Sequence, residues 1–97
     1  MPYVLKNRNT SEIYSCLLIN KYDFEYHGTK SWEEETEALE ESGPFLELHV
    51  PGELSDWEIT RVEEMKLKIF NVKLNNNPAH RLFLDAAGKP YILTKEI

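Results

Sequence analysis

The side chains with the most direct access to nucleophilic chemistry are Cys16, the only cysteine, and three histidines at positions 27, 49 and 80. A Cys16 thiolate with His27 as its general base would form a nucleophilic pair. A reactive thiolate needs partial exposure and an electropositive setting. Cys16 instead lies in the most apolar run of the chain, residues 16–19, where burial raises the pKa of a thiol. The sequence therefore favours an inert, buried thiol and predicts no catalytic residue.

Metal and cofactor sites have equally weak support. Glu47 and His49 would share one face of a strand and, with His80, could offer three metal ligands. A zinc site with several thiolate ligands is excluded within one chain, because the chain has a single cysteine. The simpler interpretation places Glu47 and His49 on the solvent-exposed face of a half-buried strand. The four glycines are too scattered for a phosphate-binding loop. We therefore predict no metal ion and no cofactor.

Acidic side chains are concentrated at residues 33–47, where seven acids occur without a basic residue. Glu33–Glu37 and Glu37–Glu41 are like-charge pairs at helical spacing, each unfavourable by a few tenths of a kcal/mol. One interpretation is a solvated helix face that keeps the protein soluble. The other is a docking surface for a basic partner, centred on Glu37, Glu40 and Glu41.

Aromatic side chains form a second concentration. Tyr22, Phe24 and Tyr26 alternate along an extended segment and would share one face, and Trp32 follows closely. Tyrosine and tryptophan combine a large apolar area with a polar group, which suits protein interfaces. The stripe either packs under a helix as core or, on an open sheet face, forms a binding surface.

Basic side chains are concentrated at residues 66–95, with six lysines and arginines and only one acid. This region could compensate the acidic segment within the chain or pair with it between two copies. It could also bind nucleic acid, with Phe83 and Tyr91 as stacking platforms. The net charge of −6 disfavours nucleic acid, because binding to phosphates needs cations that displace counterions.

The elements that must position these side chains have recognisable patterns. Strands are predicted at residues 2–5, 12–27, 45–50, 66–74, 81–85 and 90–94. Residues 16–19 are apolar on both alternating faces, which predicts a central strand covered on both sides. Capping boxes at Ser31–Glu34 and Ser55–Glu58 predict helices at residues 31–42 and 55–64, the first ended by Gly43 and Pro44. The end of the second helix stays open, because Ile59, Val62, Met65 and Ile69 also fit a helical stripe. Gly88 supplies the positive φ of the last hairpin loop.

The order β-β-α-β-α-β-β-β, with short connections, predicts an α+β fold. Its mostly antiparallel sheet of five to six strands would carry the two short helices on one face. A chain of 97 residues corresponds to a single domain, residues 1–97.

These observations favour a small acidic protein without enzymatic activity, a protein-interaction or regulatory module. A nucleic-acid-associated accessory protein is the first alternative and a small enzyme the second. The expected partner is a basic protein, and a homodimer is also compatible with the charge pattern. The amino terminus lacks the pattern of a signal peptide, and the longest apolar run is far shorter than the roughly 20 residues of a membrane helix. We therefore expect a cytoplasmic protein.

Overall fold

The computed structural model of the chain describes residues 1–49 and 56–94, which form eight strands and two helices. The strands are β1 (Tyr3–Asn7), β2 (Glu12–Ile13), β3 (Ser15–Ile19), β4 (Glu25–Thr29), β5 (Ser31–Trp32), β6 (Trp57–Arg61), β7 (His80–Leu84) and β8 (Pro90–Thr94). The helices are α1 (Glu35–His49) and α2 (Glu64–Leu74).

Strand β1 is an inner strand of a six-stranded antiparallel sheet and pairs with three other strands. Along one side it pairs over its whole length with β6, from Tyr3 opposite Arg61 to Asn7 opposite Trp57. Along the other side its two ends pair with β5 and β2. The sheet continues from β2 to β7 and β8. Strands β3 and β4 form a separate two-stranded sheet, the β3–β4 hairpin.

The two helices lie on opposite faces of the six-stranded sheet, because Val4 and Leu5 are consecutive in β1 and point to opposite sides. Val4 belongs to a core cluster with Phe70 and Leu74 of α2, and Leu5 to a second cluster that contains residues of α1. Val4 and Leu5 are both almost fully buried. The prediction that the helices share one face is therefore wrong.

The predicted α+β class and the mostly antiparallel sheet of five to six strands with two helices are confirmed. The elements also alternate in the predicted order, in that strands precede the first helix, one strand separates the helices and strands follow the second. The first strand and the C-terminal hairpin lie where they were predicted, and Gly88 has the expected positive φ of 81°.

Helix α1 differs from its prediction at both ends. Ser31 does not cap it, since Ser31 and Trp32 form β5 and pair with β1. The helix continues through Gly43 and Pro44 into the segment predicted as a strand at residues 45–50, of which residues 45–49 are described. Proline in a helix loses a backbone hydrogen bond. Burial of Leu46 at 5% exposure, one turn beyond Ser42 and two beyond Ala38, offsets that loss.

The second half of the chain exchanges the predicted helix and strand. Residues 57–61 of the segment predicted as helix form strand β6, in which Trp57 and Ile59 pack against the second core cluster. The whole of the strand predicted at residues 66–74 lies within helix α2. Its buried side chains, Phe70 and Leu74, follow half-buried Leu67 at helical spacing. The proposed cap residue Ser55 lies outside the described residues.

The long strand predicted at residues 12–27 is divided among β2, β3 and β4. The chain reverses at Asn20, whose side-chain oxygen accepts hydrogen bonds from the backbone N–H groups of Tyr22 (2.8 Å) and Phe24 (3.1 Å). Asp23 completes the turn with a φ of 63°. Residues 16–19 are therefore not a central strand covered on both sides. No helix among the described residues is long and apolar enough to cross a membrane.

Candidate interaction surface

The predicted aromatic stripe is divided by the turn of the β3–β4 hairpin. Tyr22 and Phe24 lie in this turn with 67% and 68% of their surfaces exposed. The amino group of Lys21 lies 5.3 Å from the centre of the Tyr22 ring, a cation–π distance. The turn, held by the Asn20 side chain, therefore presents two aromatic rings to solvent.

Tyr26 and Trp32, the other members of the stripe, lie elsewhere. Tyr26 is half-buried and leans over Gly28, where an added Cβ would approach its ring to 2.7 Å. Trp32 is 6% exposed and packs edge-to-face against Phe45, with ring centres 6.0 Å apart. Trp32 is therefore part of the core, and the four aromatic residues do not form one surface.

The β3–β4 hairpin borders an open groove of about 720 Å³ between the hairpin and the two helices. Cys16, Leu18 and Tyr26 line its hairpin wall, since they share one face of the paired strands. Leu17 and Ile19 of β3, residues 29–31, Phe45 of α1, and Leu67 and Asn71 of α2 also line it. This groove was not predicted, because its walls come from segments far apart in the sequence.

A second depression of about 270 Å³ adjoins the groove at Lys30 and Phe45, which line both. Glu40, Glu41 and Pro44 of α1 border its far side. The amino group of Lys30 lies 5.1 Å from the Trp32 ring and 5.3 Å from the Phe45 ring. Two of the three acids predicted to form a docking surface therefore lie beside an apolar groove.

The acidic side chains of α1 are exposed, with Glu37, Glu40 and Glu41 all on the solvent side of the helix. The ion pairs among the described residues join Arg8 to Glu58 and Arg81 to Glu12, and neither includes an acid of α1. In the described part of the chain, no ion pair therefore joins the acidic segment to the basic region, which was one of the interpretations of the charge pattern.

Three of the six basic residues are not on C-terminal strands as expected. Lys66, Lys68 and Lys73 lie on α2, across the sheet from α1, and Lys95 lies outside the described residues. Arg81 donates two hydrogen bonds to the Glu12 carboxylate, at 3.0 and 2.6 Å. The proposed stacking residues differ in exposure.

Phe83 is 7% exposed and stacks on Tyr91, with ring centres 5.8 Å apart. Tyr91 is 41% exposed. The basic sheet face with two exposed rings that the nucleic-acid alternative requires is therefore not present among the described residues.

The side chains of Cys16 and His27 point to opposite faces of the hairpin. Cys16 lies opposite Gly28 and His27 opposite Leu17, the next pair along the ladder, so their side chains alternate. Burial raises the pKa of the Cys16 thiol, against a smaller opposing effect of Lys30. The two groups therefore do not form a thiol–imidazole pair.

Glu47 and His49 lie in α1 and do not share a strand face. Among the described residues, no three histidine, cysteine or acidic side chains are grouped closely enough to hold a metal ion.

His27 lies where the hairpin packs against α2 and the loop that follows it. Its backbone N–H donates to the side-chain oxygen of Asn76 at 2.6 Å, and the N–H of Thr29 donates to that of Asn71 at 2.9 Å. The His27 Nε2 atom is buried without a hydrogen-bond partner among the described residues. Burial lowers the pKa of this imidazole.

Comparisons of the chain with protein-family models, with curated proteins and with solved structures give no match.

Proposed function

We propose that this chain is a non-enzymatic interaction module that binds a basic segment of another protein in the groove beside the β3–β4 hairpin. The observation that carries this proposal is the continuity of the groove with the depression bordered by Glu40 and Glu41. Apolar contact area and negative charge are thus available to one ligand.

The apolar part of the site supports binding energy. Leu18, Tyr26 and Phe45 line a groove open to solvent. Apolar accessible area that a ligand removes from water contributes roughly 25 cal/mol per Å² before the entropic cost of association is subtracted. Exposed Tyr22 and Phe24, at the end of the same hairpin, offer aromatic rings of the kind that dominate protein interfaces. We therefore assign them contacts with the partner beyond the groove.

The charged part of the site supports selection of a cationic partner. Glu37, Glu40 and Glu41 are exposed on α1, and the described ion pairs involve none of them. Lys30 lies between the groove and the acids, and its amino group faces the Trp32 and Phe45 rings. Complementary charge raises the association rate and suppresses wrong partners.

Carbodiimide cross-linking tests the proposal, because it joins carboxylates directly to lysine amines in contact. We expect the immobilised chain to capture a set of proteins from lysate, with cross-links from Glu40 or Glu41 to their lysines. E40Q/E41Q should lose most of this set. E33Q/E34Q is the matched control, since it removes the same charge from exposed positions that do not line the groove.

Equal losses with the two double variants would contradict a specific site at Glu40 and Glu41. Y22A/F24A tests the aromatic turn separately, and we expect it to weaken capture of the same proteins. Capture that survives all three variants unchanged would exclude the proposed function.

A further inference from the structure

We infer that two copies of this chain associate by pairing their β3 strands antiparallel, with Leu17 of each copy at the two-fold axis. The result is a continuous four-stranded sheet made from two β3–β4 hairpins. This inference goes beyond the proposed groove because it uses the backbone edge of β3, and it shares a wall with it, since Leu17 and Ile19 of that strand also line the groove.

Among residues 1–49 and 56–94, nothing pairs with one edge of the hairpin sheet. Within the described residues, β3 pairs only with β4. The outer edge of β4 is occupied, since the N–H groups of His27 and Thr29 donate to side chains of Asn76 and Asn71. An unpaired strand edge is a template for pairing with another chain. One free edge per hairpin permits a closed dimer and no longer array.

The backbone groups of β3 point in the direction that pairing requires. His27 and Thr29 direct their N–H groups away from β3, so their cross-strand neighbours Leu17 and Ser15 form non-hydrogen-bonded pairs with them. Leu17 and Ser15 therefore direct their own N–H and C=O groups to the free edge, and Ile19 does the same two residues further along.

A two-fold axis at Leu17 satisfies all of these groups. Leu17 then lies opposite its own copy, and Ser15 lies opposite Ile19 of the second copy. Each such pair exchanges two backbone hydrogen bonds. The side chains of Leu17 and Ile19 share one face and are 64% and 66% exposed, so those of both copies meet across the axis.

The two-fold register and the uncharged strand make a second copy of β3 a compatible occupant of this edge. The β3 sequence, Ser-Cys-Leu-Leu-Ile, carries no charged side chain, so pairing two copies opposes no like charges within the strands. The strand also lacks the lysine, proline or bulge by which proteins protect free edges. Repulsion between two chains of net charge −6 acts over a longer range and is screened by salt.

Disulfide trapping tests the register. In a C16S background, L17C places two thiols across the axis with Cα atoms about 5.5 Å apart, within the disulfide range of roughly 4.4–6.8 Å. I19C places them roughly 13 Å apart in the same dimer. We expect rapid disulfide-linked dimer from C16S/L17C and at least tenfold slower linkage from C16S/I19C. C16S/V72C is the control, because Val72 is 75% exposed on α2.

Linkage of C16S/L17C no faster than that of C16S/V72C would overturn the inference, and so would equal rates for the cysteines at positions 17 and 19. Sedimentation equilibrium of the unmodified chain gives a measurement without new cysteines. We expect a concentration-dependent dimer that added salt strengthens and that Leu17→Lys weakens at least tenfold, whereas Val72→Lys leaves it unchanged. A monomer at every concentration from micromolar to millimolar would overturn it.

Discussion

Exposed and buried aromatic residues of the hairpin region should differ sharply in their contribution to stability. Tyr22 is 67% exposed and Trp32 is 6% exposed. We expect Tyr22→Ala to change the free energy of unfolding by about 0.5 kcal/mol or less. Trp32→Ala leaves a cavity beside Phe45 and should cost about 3–5 kcal/mol. Urea denaturation followed by circular dichroism measures both, and a similar loss in the two variants would contradict the assigned burial.

Residue types alone predicted the concentrations of aromatic and acidic side chains but not which of the aromatic residues are exposed. Tyr22 and Trp32 have similar chemistry, and their environments differ because Trp32 is held in β5 beside β1 while Tyr22 lies in a turn. The turn depends on the Asn20 side chain, which accepts two backbone hydrogen bonds. A single asparagine in an apolar, alternating segment is a weak signal, so the sequence favoured one continuous strand.

The His27 imidazole should make the fold sensitive to acid. Burial lowers its pKa in the folded state below the ordinary value of about 6.5, and its buried Nε2 has no partner among the described residues. The unfolded chain therefore takes up a proton at higher pH than the folded chain. The contribution of His27 to stability is present above about pH 6.5 and is lost as the pH falls from there through the folded-state pKa.

We expect His27→Gln to reduce the loss of stability between about pH 7.5 and pH 5.5, because glutamine does not titrate in this range. Urea denaturation of the wild-type chain and the variant at several pH values measures the difference. Parallel pH profiles for the two proteins would show that His27 does not titrate differently on unfolding.

At the scale of elements, docking of the hairpin depends on side chains of α2 and its following loop. Asn71 accepts the Thr29 N–H at a partly buried position, and removing it leaves that donor unsatisfied. We expect Asn71→Ala to cost about 1–2 kcal/mol and to accelerate exchange of the Thr29 amide hydrogen. Val72→Ala is the control, because Val72 is the next residue of α2 and its side chain is exposed, so we expect a smaller loss of stability. Equal effects of the two variants would contradict a role for the hydrogen bond.

Helix α2 also shows why the second half of the chain was difficult to predict. Met65, Leu67 and Ile69 alternate as in a strand, yet Met65 is 65% exposed and Ile69 is 41% exposed. The buried pattern is Leu67, Phe70 and Leu74, which follows helical spacing. Two apolar patterns overlap in one segment, and only packing against Val4 and the rest of the first core cluster selects between them.

Strand β6 was mispredicted for a related reason. Trp57 and Glu58 occupy a capping-box pattern, but five consecutive residues of β6 pair with β1. Pairing with β1 along its whole length forms a ladder of backbone hydrogen bonds that a short helix cannot match, and local capping signals do not report it. The C-terminal hairpin was predicted correctly because its signals, alternation and Gly88, are local.

At the scale of the whole molecule, the sheet separates the two charged helices. The acids of α1 lie on one side and the lysines of α2 on the other, so the uneven charge of the sequence becomes an uneven charge of the surface. Coulomb attraction between opposite faces is weak, because it is screened beyond about 8–10 Å at physiological ionic strength. The acidic face is therefore exposed to solvent and destabilised by its own repulsion.

Neutralising that face should leave the fold as stable or slightly more stable. We expect E37Q/E40Q/E41Q to raise the free energy of unfolding by about 0.5 kcal/mol or less at low salt, since it relieves the Glu37–Glu41 repulsion at helical spacing. Added salt should remove the difference, because it screens the same repulsion in the wild-type chain. Urea denaturation at two salt concentrations measures both effects. A loss of more than about 1 kcal/mol would mean that the lysines of α2 compensate these carboxylates across the sheet, which would remove the electrostatic basis for selecting a basic partner.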